Sequence, residues 1–176
     1  MPGYTHTVSS DEHDEDGVLI SDEYTNSVKR RAMMEKRMRK EDGIAAAVPP
    51  PQLLGPASAD VTLIGWGSTY GVIDEACELL REAGISANHL PIRWLVPLHG
   101  DAIVDLLKGA RRTIIVENNY SGQFARYLRS ETSFVPDGNI RKYDGEPFLP
   151  HHIVEAVKEQ LAGKTKLSVP AHEIMV

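Results

Sequence analysis

The sequence predicts a three-layer α/β sandwich, a mostly parallel sheet covered by helices on both faces. Three observations carry that prediction. From residue 60 onward, short apolar runs rich in β-branched residues alternate four times with helical segments over about 105 residues. Each helical segment has one apolar face, which must be covered by a sheet. The strongest run, TIIV within RRTIIVEN (Arg111–Asn118), is apolar at successive positions, as in a strand buried on both faces. Crossovers between such parallel strands are expected to be right-handed.

The elements follow in order. The first segment, residues 1–26, is acidic, with DEHDED at Asp11–Asp16. KRRAMMEKRMRK (Lys29–Lys40) then reverses the charge, and its Ala, Met and Glu residues favour a short basic helix. Met34 and Met38 lie four apart with Val28 nearby, a thin apolar stripe among seven basic residues. Such a helix is expected to lean on another surface, and its charge favours an acidic one. AAAVPPPQLLGPASAD (Ala45–Asp60) brings four prolines, so residues 27–58 read as a basic helix and Pro-rich linker.

The compact domain is expected over residues 59–163. VTLIGW is the first strand. GVIDEACELLREAG follows as a helix placing Val72, Ile73, Ala76, Leu79, Leu80 and Ala83 on one face, with Gly84 as its C-cap. HLPIRWLVPL (His89–Leu98) precedes a helix around DAIVDLLKGA. RRTIIVEN precedes SGQFARYLRSET, with Phe124, Tyr127 and Leu128 at helical spacing. A weaker strand around NIRKY and a helix HIVEAVKEQLAG complete the series, leaving residues 164–176 as either an edge strand or a tail.

Composition bounds the function. At 176 residues, 41% apolar and 25% charged, the chain reads as one soluble globular domain with a short appendage. No stretch of roughly 18 apolar residues is present, and the acidic start lacks a signal core, so a cytoplasmic protein with no membrane association is expected. The net charge of −6 argues against general nucleic-acid binding. Cys77 is the sole cysteine, which excludes an internal disulfide or a cluster held by several thiolates of this chain.

LIGWGSTYG (Leu63–Gly71) tests for a phosphate-binding loop. Its spacing, G-x-G-x-x-x-G, is one residue longer than the dinucleotide fingerprint, and no Asp or Glu lies between Ala83 and Gly100 to meet a ribose. A free-standing nucleotide-binding module, with Arg93 meeting a 2′-phosphate, is the alternative reading. The favoured reading is that the glycines allow tight turning and close packing while Ser68 or Thr69 caps the helix. His13 among acidic residues reads as solvated linker. His151 and His152 are adjacent, and neighbours on a helix do not share a face, so no metal pair is expected. Cys77 reads as a small buried residue. Glu117, Asn118 and Asn119 end the strongest strand, where functional groups gather, but capping of the next helix fits equally. No catalytic, cofactor-binding or metal set assembles from these residues.

The order EHDEDG, MMEKRMRK, ADVTLIGWGSTYGVIDEACELLREAG, IRWLVPL and RRTIIVENNYSGQFARYLR resembles the C-terminal part of the α subunit of 2-oxoacid:ferredoxin oxidoreductases, particularly those acting on 2-oxoglutarate. It covers about residues 11–162. The resemblance implies a transketolase C-terminal-like domain, an α/β sandwich on a mostly parallel (mixed) sheet, with residues 1–26 as the end of an upstream pyrimidine-binding domain. It implies a complex that uses thiamine diphosphate and an iron–sulfur cluster to convert a 2-oxoacid and coenzyme A to an acyl-CoA, reducing ferredoxin. Those cofactors belong to the β subunit and the missing α-subunit domains. The chain alone should bind neither and be inactive, and its own work should be structural and subunit-docking. Trp66, Tyr70, Asn118, Asn119 and Gln123 are the expected interface residues, with the aromatics supplying contact area.

Overall fold

A computed structural model describes residues 26–173. They fall into two compact units that meet in sequence between Val48 and Pro49. The acidic run and His13 lie outside the described residues. No helix among the described residues is long and apolar enough to cross a membrane.

Helix α1 (Ser27–Ala47) is longer than the basic run alone predicts. Asn26 caps it by accepting from the Lys29 N–H at 3.1 Å. It runs on through Ala45–Ala47, which the linker reading had claimed, because alanine favours helix until proline intervenes. Val48, forced out of the α region by Pro49, is extended at φ −87° and ψ 138°. No residue of α1 is buried, and Met34 and Met38 are half exposed.

The second unit carries strands β1 (Val61–Trp66), β2 (Ala87–Ile92), β3 (Thr113–Glu117), β4 (Gly138–Arg141) and β5 (Leu167–Ser168). Their order is β2-β1-β3-β4-β5, and every pairing is parallel. The mixed sheet expected from the family is therefore all-parallel here, and the antiparallel element is an isolated bridge between Leu54 and His89. β2 starts and stops earlier than predicted and contains Pro91. That proline is tolerated because β2 is an edge strand, whose outward N–H groups need no ladder partner. The ambiguous tail supplies the opposite edge. Gln160, buried in the last helix, donates from Nε2 to the Asn139 carbonyl and the Ser168 hydroxyl, both at 3.0 Å, tying β5 to β4.

Helices α2 (Tyr70–Glu82) and α5 (Pro150–Leu161) cover one face; α3 (Gly100–Leu107) and α4 (Gln123–Thr132) cover the other. Successive strand residues point to opposite faces, so Leu63 and Ile114 join α2 and α5 while Ile64 and Ile115 join α3 and α4. The α2 face is rotated from the predicted one. Ile73, Ala76, Cys77 and Leu80 are buried, whereas Leu79 is 38% exposed and Ala83 is exposed. Gly84, at φ +81°, ends the helix with its N–H on the Arg81 carbonyl, as its C-cap role predicts.

Candidate functional site

β1 leads into α2 on one face and its neighbour β3 leads into α4 on the other. Their C-terminal ends thus flank the crevice at which parallel sheets present ligand- or partner-binding groups. The predicted residues lie around this rim, and the structure divides them among three settings.

The glycine loop turns as a short 3₁₀ segment, Gly67–Thr69, before α2. Gly67 needs its freedom, at φ +60°. Gly65 needs its lack of a side chain: a Cβ there would lie 2.1 Å from the Ile73 Cδ1 of α2. Gly71 requires neither, with φ in the ordinary range and open space around it. Nor does Ser68 or Thr69 cap α2. The Thr69 hydroxyl instead accepts from the Trp66 N–H and donates to the Trp66 carbonyl, at 3.1 and 2.9 Å, which closes the turn one residue group earlier. The loop holds helix to sheet.

Glu117 ends β3 fully buried. Its Oε2 accepts from Asn119 Nδ2 at 2.8 Å and from the Phe124 N–H in the first turn of α4 at 2.9 Å; its Oε1 accepts from Asn139 Nδ2 at 3.0 Å. Asn119 Oδ1 accepts from the Gln123 N–H at 3.0 Å. The side chain of Asn119 and the backbone of Gln123 are therefore engaged in capping α4, where the helix dipole favours the Glu117 carboxylate. Arg141 packs its guanidinium over Gly122, where a Cβ would lie 2.5 Å from an arginine nitrogen. It donates to Asn139 and, at 3.2 Å, to the Tyr120 carbonyl.

Asn118 points elsewhere. It is exposed and borders a cavity of about 610 Å³ with Ser68, Lys142, Tyr143 and Phe148. Lys142 is buried, and its ammonium donates to Asp144 at 2.6 Å and Glu146 at 3.1 Å. Burial alone would lower its pKa, but those hydrogen bonds and charges outweigh it and hold the pKa above the usual lysine value. Tyr143 meets exposed Tyr120 edge-on, centroids 5.0 Å apart. The sequence reading missed this cluster. Its signal was the turn sequence KYDGE, in which Gly145 adopts φ +89° and lets the two acids fold back on the lysine.

Trp66 and Tyr70 share a second cavity, about 360 Å³, with Gly67, Pro91, Ile92 and Arg93. The Arg93 guanidinium carbon lies 5.6 Å from the Tyr70 ring centroid, a cation–π arrangement. Tyr70 also meets the His89 ring, centroid to centroid 5.3 Å, and His89 is only 1% exposed. Its Nδ1 contacts Asp74 at 3.3 Å while its buried Nε2 has no partner among the described residues. Burial lowers the His89 pKa, opposed by Asp74, so the ring is held neutral.

His151 and His152 do converge, against the expectation from helical spacing. They occupy the first turn of α5, where both rings, 4.5 Å apart, turn toward Glu173 in the following chain. With Glu173 they place three possible ligand atoms within 4.8 Å. The hydrogen bonds oppose a metal, however. His152 Nδ1 accepts the Leu149 N–H at 3.1 Å, so its proton sits on Nε2, which donates to Glu173 at 2.9 Å. A ligand lone pair at Nε2 would cost that cap. Cys77 is buried, and burial pushes its thiol up to about 12, the environment of an inert core residue.

Comparison with known proteins agrees with the fold. The family model for the transketolase C-terminal domain matches residues 53–169. The chain is 36% identical over 171 residues to the α subunit of 2-oxoacid:ferredoxin oxidoreductase 2 from Aeropyrum pernix, covering 96% of this chain and 26% of that protein. It is 33% identical over 164 residues to the 2-oxoglutarate oxidoreductase subunit KorA of Mycobacterium tuberculosis, covering 93% and 24%. The chain thus spans about a quarter of the length of these relatives. Among solved structures, 2-oxoglutarate:ferredoxin oxidoreductase from Magnetococcus marinus matches with a TM-score of 0.71 and 28% identity, over 91% of this chain and 27% of that one. These matches show that the chain belongs to the transketolase C-terminal domain family.

Proposed function

We propose that this chain is the transketolase C-terminal-like part of the α subunit of a thiamine-diphosphate-dependent 2-oxoacid:ferredoxin oxidoreductase, of the 2-oxoglutarate type, working in the cytoplasm. The observation that supports this reading is the similarity to α subunits across nearly the whole chain, over 96% of it in one relative and 93% in another. Residues 1–26 correspond in this reading to the end of a pyrimidine-binding domain, 27–58 to a connecting helix and linker, and 59–163 to the docking domain. Thiamine diphosphate and the iron–sulfur cluster are held by the β subunit and the rest of α. Coenzyme A and ferredoxin are the complex's other partners. The rim bearing Trp66, Tyr70 and Asn118 is the contact surface, because it gathers the exposed rings of Tyr70, Tyr120 and Tyr143 and the partly buried Trp66 beside two cavities. Asn119 and Gln123 belong to it through the helix start that they shape.

The test is reconstitution. Purified chain with thiamine diphosphate, coenzyme A and 2-oxoglutarate should not reduce a viologen dye. Chain co-purified with the polypeptides carrying the rest of α and the β subunit should do so. Tyr70→Ala should weaken that assembly more than it lowers the chain's own unfolding midpoint. Turnover by the chain alone, or assembly indifferent to Tyr70→Ala, refutes the reading.

A further inference from the structure

We propose that Glu173 is a positioning residue for the rim: it clasps the C-terminal segment to the start of α5 and thereby holds the turn that carries Tyr143 in its docking arrangement. The proposal rests on the reading of the rim as a docking surface and adds the element that sets part of its shape.

Beyond β5 the chain continues as a strap, residues 169–173. Ser168, at the root of the strap, is buried and bonded by Gln160. Val169, Ala171 and His172 are exposed. A cavity of about 370 Å³ is lined by Glu155 and Glu159 of α5 and by Val169, Pro170 and Ala171 of the strap, so the strap does not fill the space beside the helix. Glu173 fixes its far end. The Glu173 Oε1 accepts from the Nε2 atoms of His151 and His152, at 2.9 Å from the latter. Its backbone N–H donates to Glu146 Oε2 at 3.2 Å. α5 has no acidic residue in its first turn, although that end of a helix favours negative charge, and the Glu173 carboxylate supplies it. Without Glu173 the buried His152 N–H would lose its acceptor.

The Glu146 contact leads to the rim. Glu146 Oε2 also accepts from Lys142 Nζ at 3.1 Å, and Asp144 Oδ1 accepts from the Glu146 N–H at 3.1 Å. One ammonium there faces two carboxylates, so the Glu173 N–H is a further donor to a site with excess negative charge. Lys142, Tyr143 and Glu146 line the cavity of about 610 Å³ with Ser68 and Asn118, and Tyr143 meets Tyr120 edge-on. Glu146 is thus shared by the strap and the cavity wall. Tyr143, Asp144 and Gly145 are exposed, and the turn closes through side-chain bonds, a kind of segment that opens at low cost when a bond is lost.

The test uses the full chain and has two arms. In the first, NMR follows the Lys142–Gly145 amides and the Tyr143 ring, which Tyr143→Phe assigns among the six tyrosines. Glu173→Ala should move these signals while the amides of β1 and α2 keep theirs, and Glu173→Gln, which retains one acceptor oxygen, should move them less. In the second arm, assembly with the remaining oxidoreductase polypeptides is measured. Glu173→Ala should weaken it about 3- to 10-fold, and Glu173→Gln less. Because Glu173 acts through the turn, Glu173→Ala should cost little more in a Tyr143→Ala background. Turn signals that stay in place in Glu173→Ala, or an assembly loss from Glu173→Ala undiminished in Tyr143→Ala, overturn the clasp. Assembly weakened by Tyr143→Ala but not by Glu173→Ala overturns it while leaving the docking surface intact. Assembly indifferent to both Tyr70→Ala and Tyr143→Ala refutes the docking surface and the clasp with it, even where the turn signals move.

Discussion

Exchanging the acid and amide between Glu117 and Asn139 tests the logic of the rim most sharply. In Glu117→Gln, one oxygen can still accept from Asn119 Nδ2 and the Phe124 N–H, as Oε2 does now, but the new amide nitrogen then faces Asn139 Nδ2 across the present 3.0 Å. Two donors meet where a charged hydrogen bond stood. That change should cost about 1–3 kcal/mol. Asn139→Asp alone sets two carboxylates against each other. Their repulsion at this separation is up to about 5.5 kcal/mol at an effective dielectric near 20, less what Arg141, which donates to the Asn139 side chain, recovers. In the double variant the carboxylate at 139 accepts from the amide at 117, with donor and acceptor reversed. The pair should therefore recover about 1–3 kcal/mol relative to the sum of the singles. Urea unfolding of all four proteins at pH 7 measures the cycle, with the slope checked for constancy. Costs that add within about 0.5 kcal/mol would refute the argument that Glu117 acts chiefly through these directional bonds.

Two further outcomes follow from burial. Leu80→Ala removes a fully buried side chain from the α2–α5 face and should cost about 2–5 kcal/mol, whereas Leu79→Ala, at a 38% exposed position, should cost under about 1 kcal/mol; equal unfolding midpoints would refute the observed helix rotation. His89 is held neutral with a pKa below its ordinary 6.5, so the unfolded chain binds its proton first as pH falls. Stability from this group is complete above about pH 6.5 and declines below it, until the folded ring also titrates. Unfolding midpoints from pH 8 to 5 should thus fall more steeply in the natural chain than in His89→Gln, and parallel curves would refute the assignment.

Local signals in the chain were sufficient for the alternation of strands and helices, for Gly84 as a helix end, and for Cys77 as an inert core residue. Each follows from the few neighbouring residues that decide it: apolar period, a left-handed position, a small residue on an apolar face. The order of motifs was sufficient for the family. Where a helix lies against its sheet is a different matter. Six apolar residues in α2 were compatible with two neighbouring faces, and only the packing of α5 and β1 chose the face with Cys77 over the one with Leu79. Gly65 and Gly71 look alike in the sequence, but only Gly65 has the Ile73 side chain where its own Cβ would stand. Asn139, which both Glu117 and Gln160 bond, is 22 and 21 residues from them, and the convergence of His151 and His152 depends on Glu173 reaching them from beyond β5. These are contacts between elements, set by how strands register and where helices cross them. Short-range pattern determines which elements form because backbone and periodicity are local; it leaves the site open because hydrogen-bond partners across a sheet are fixed only when the sheet closes.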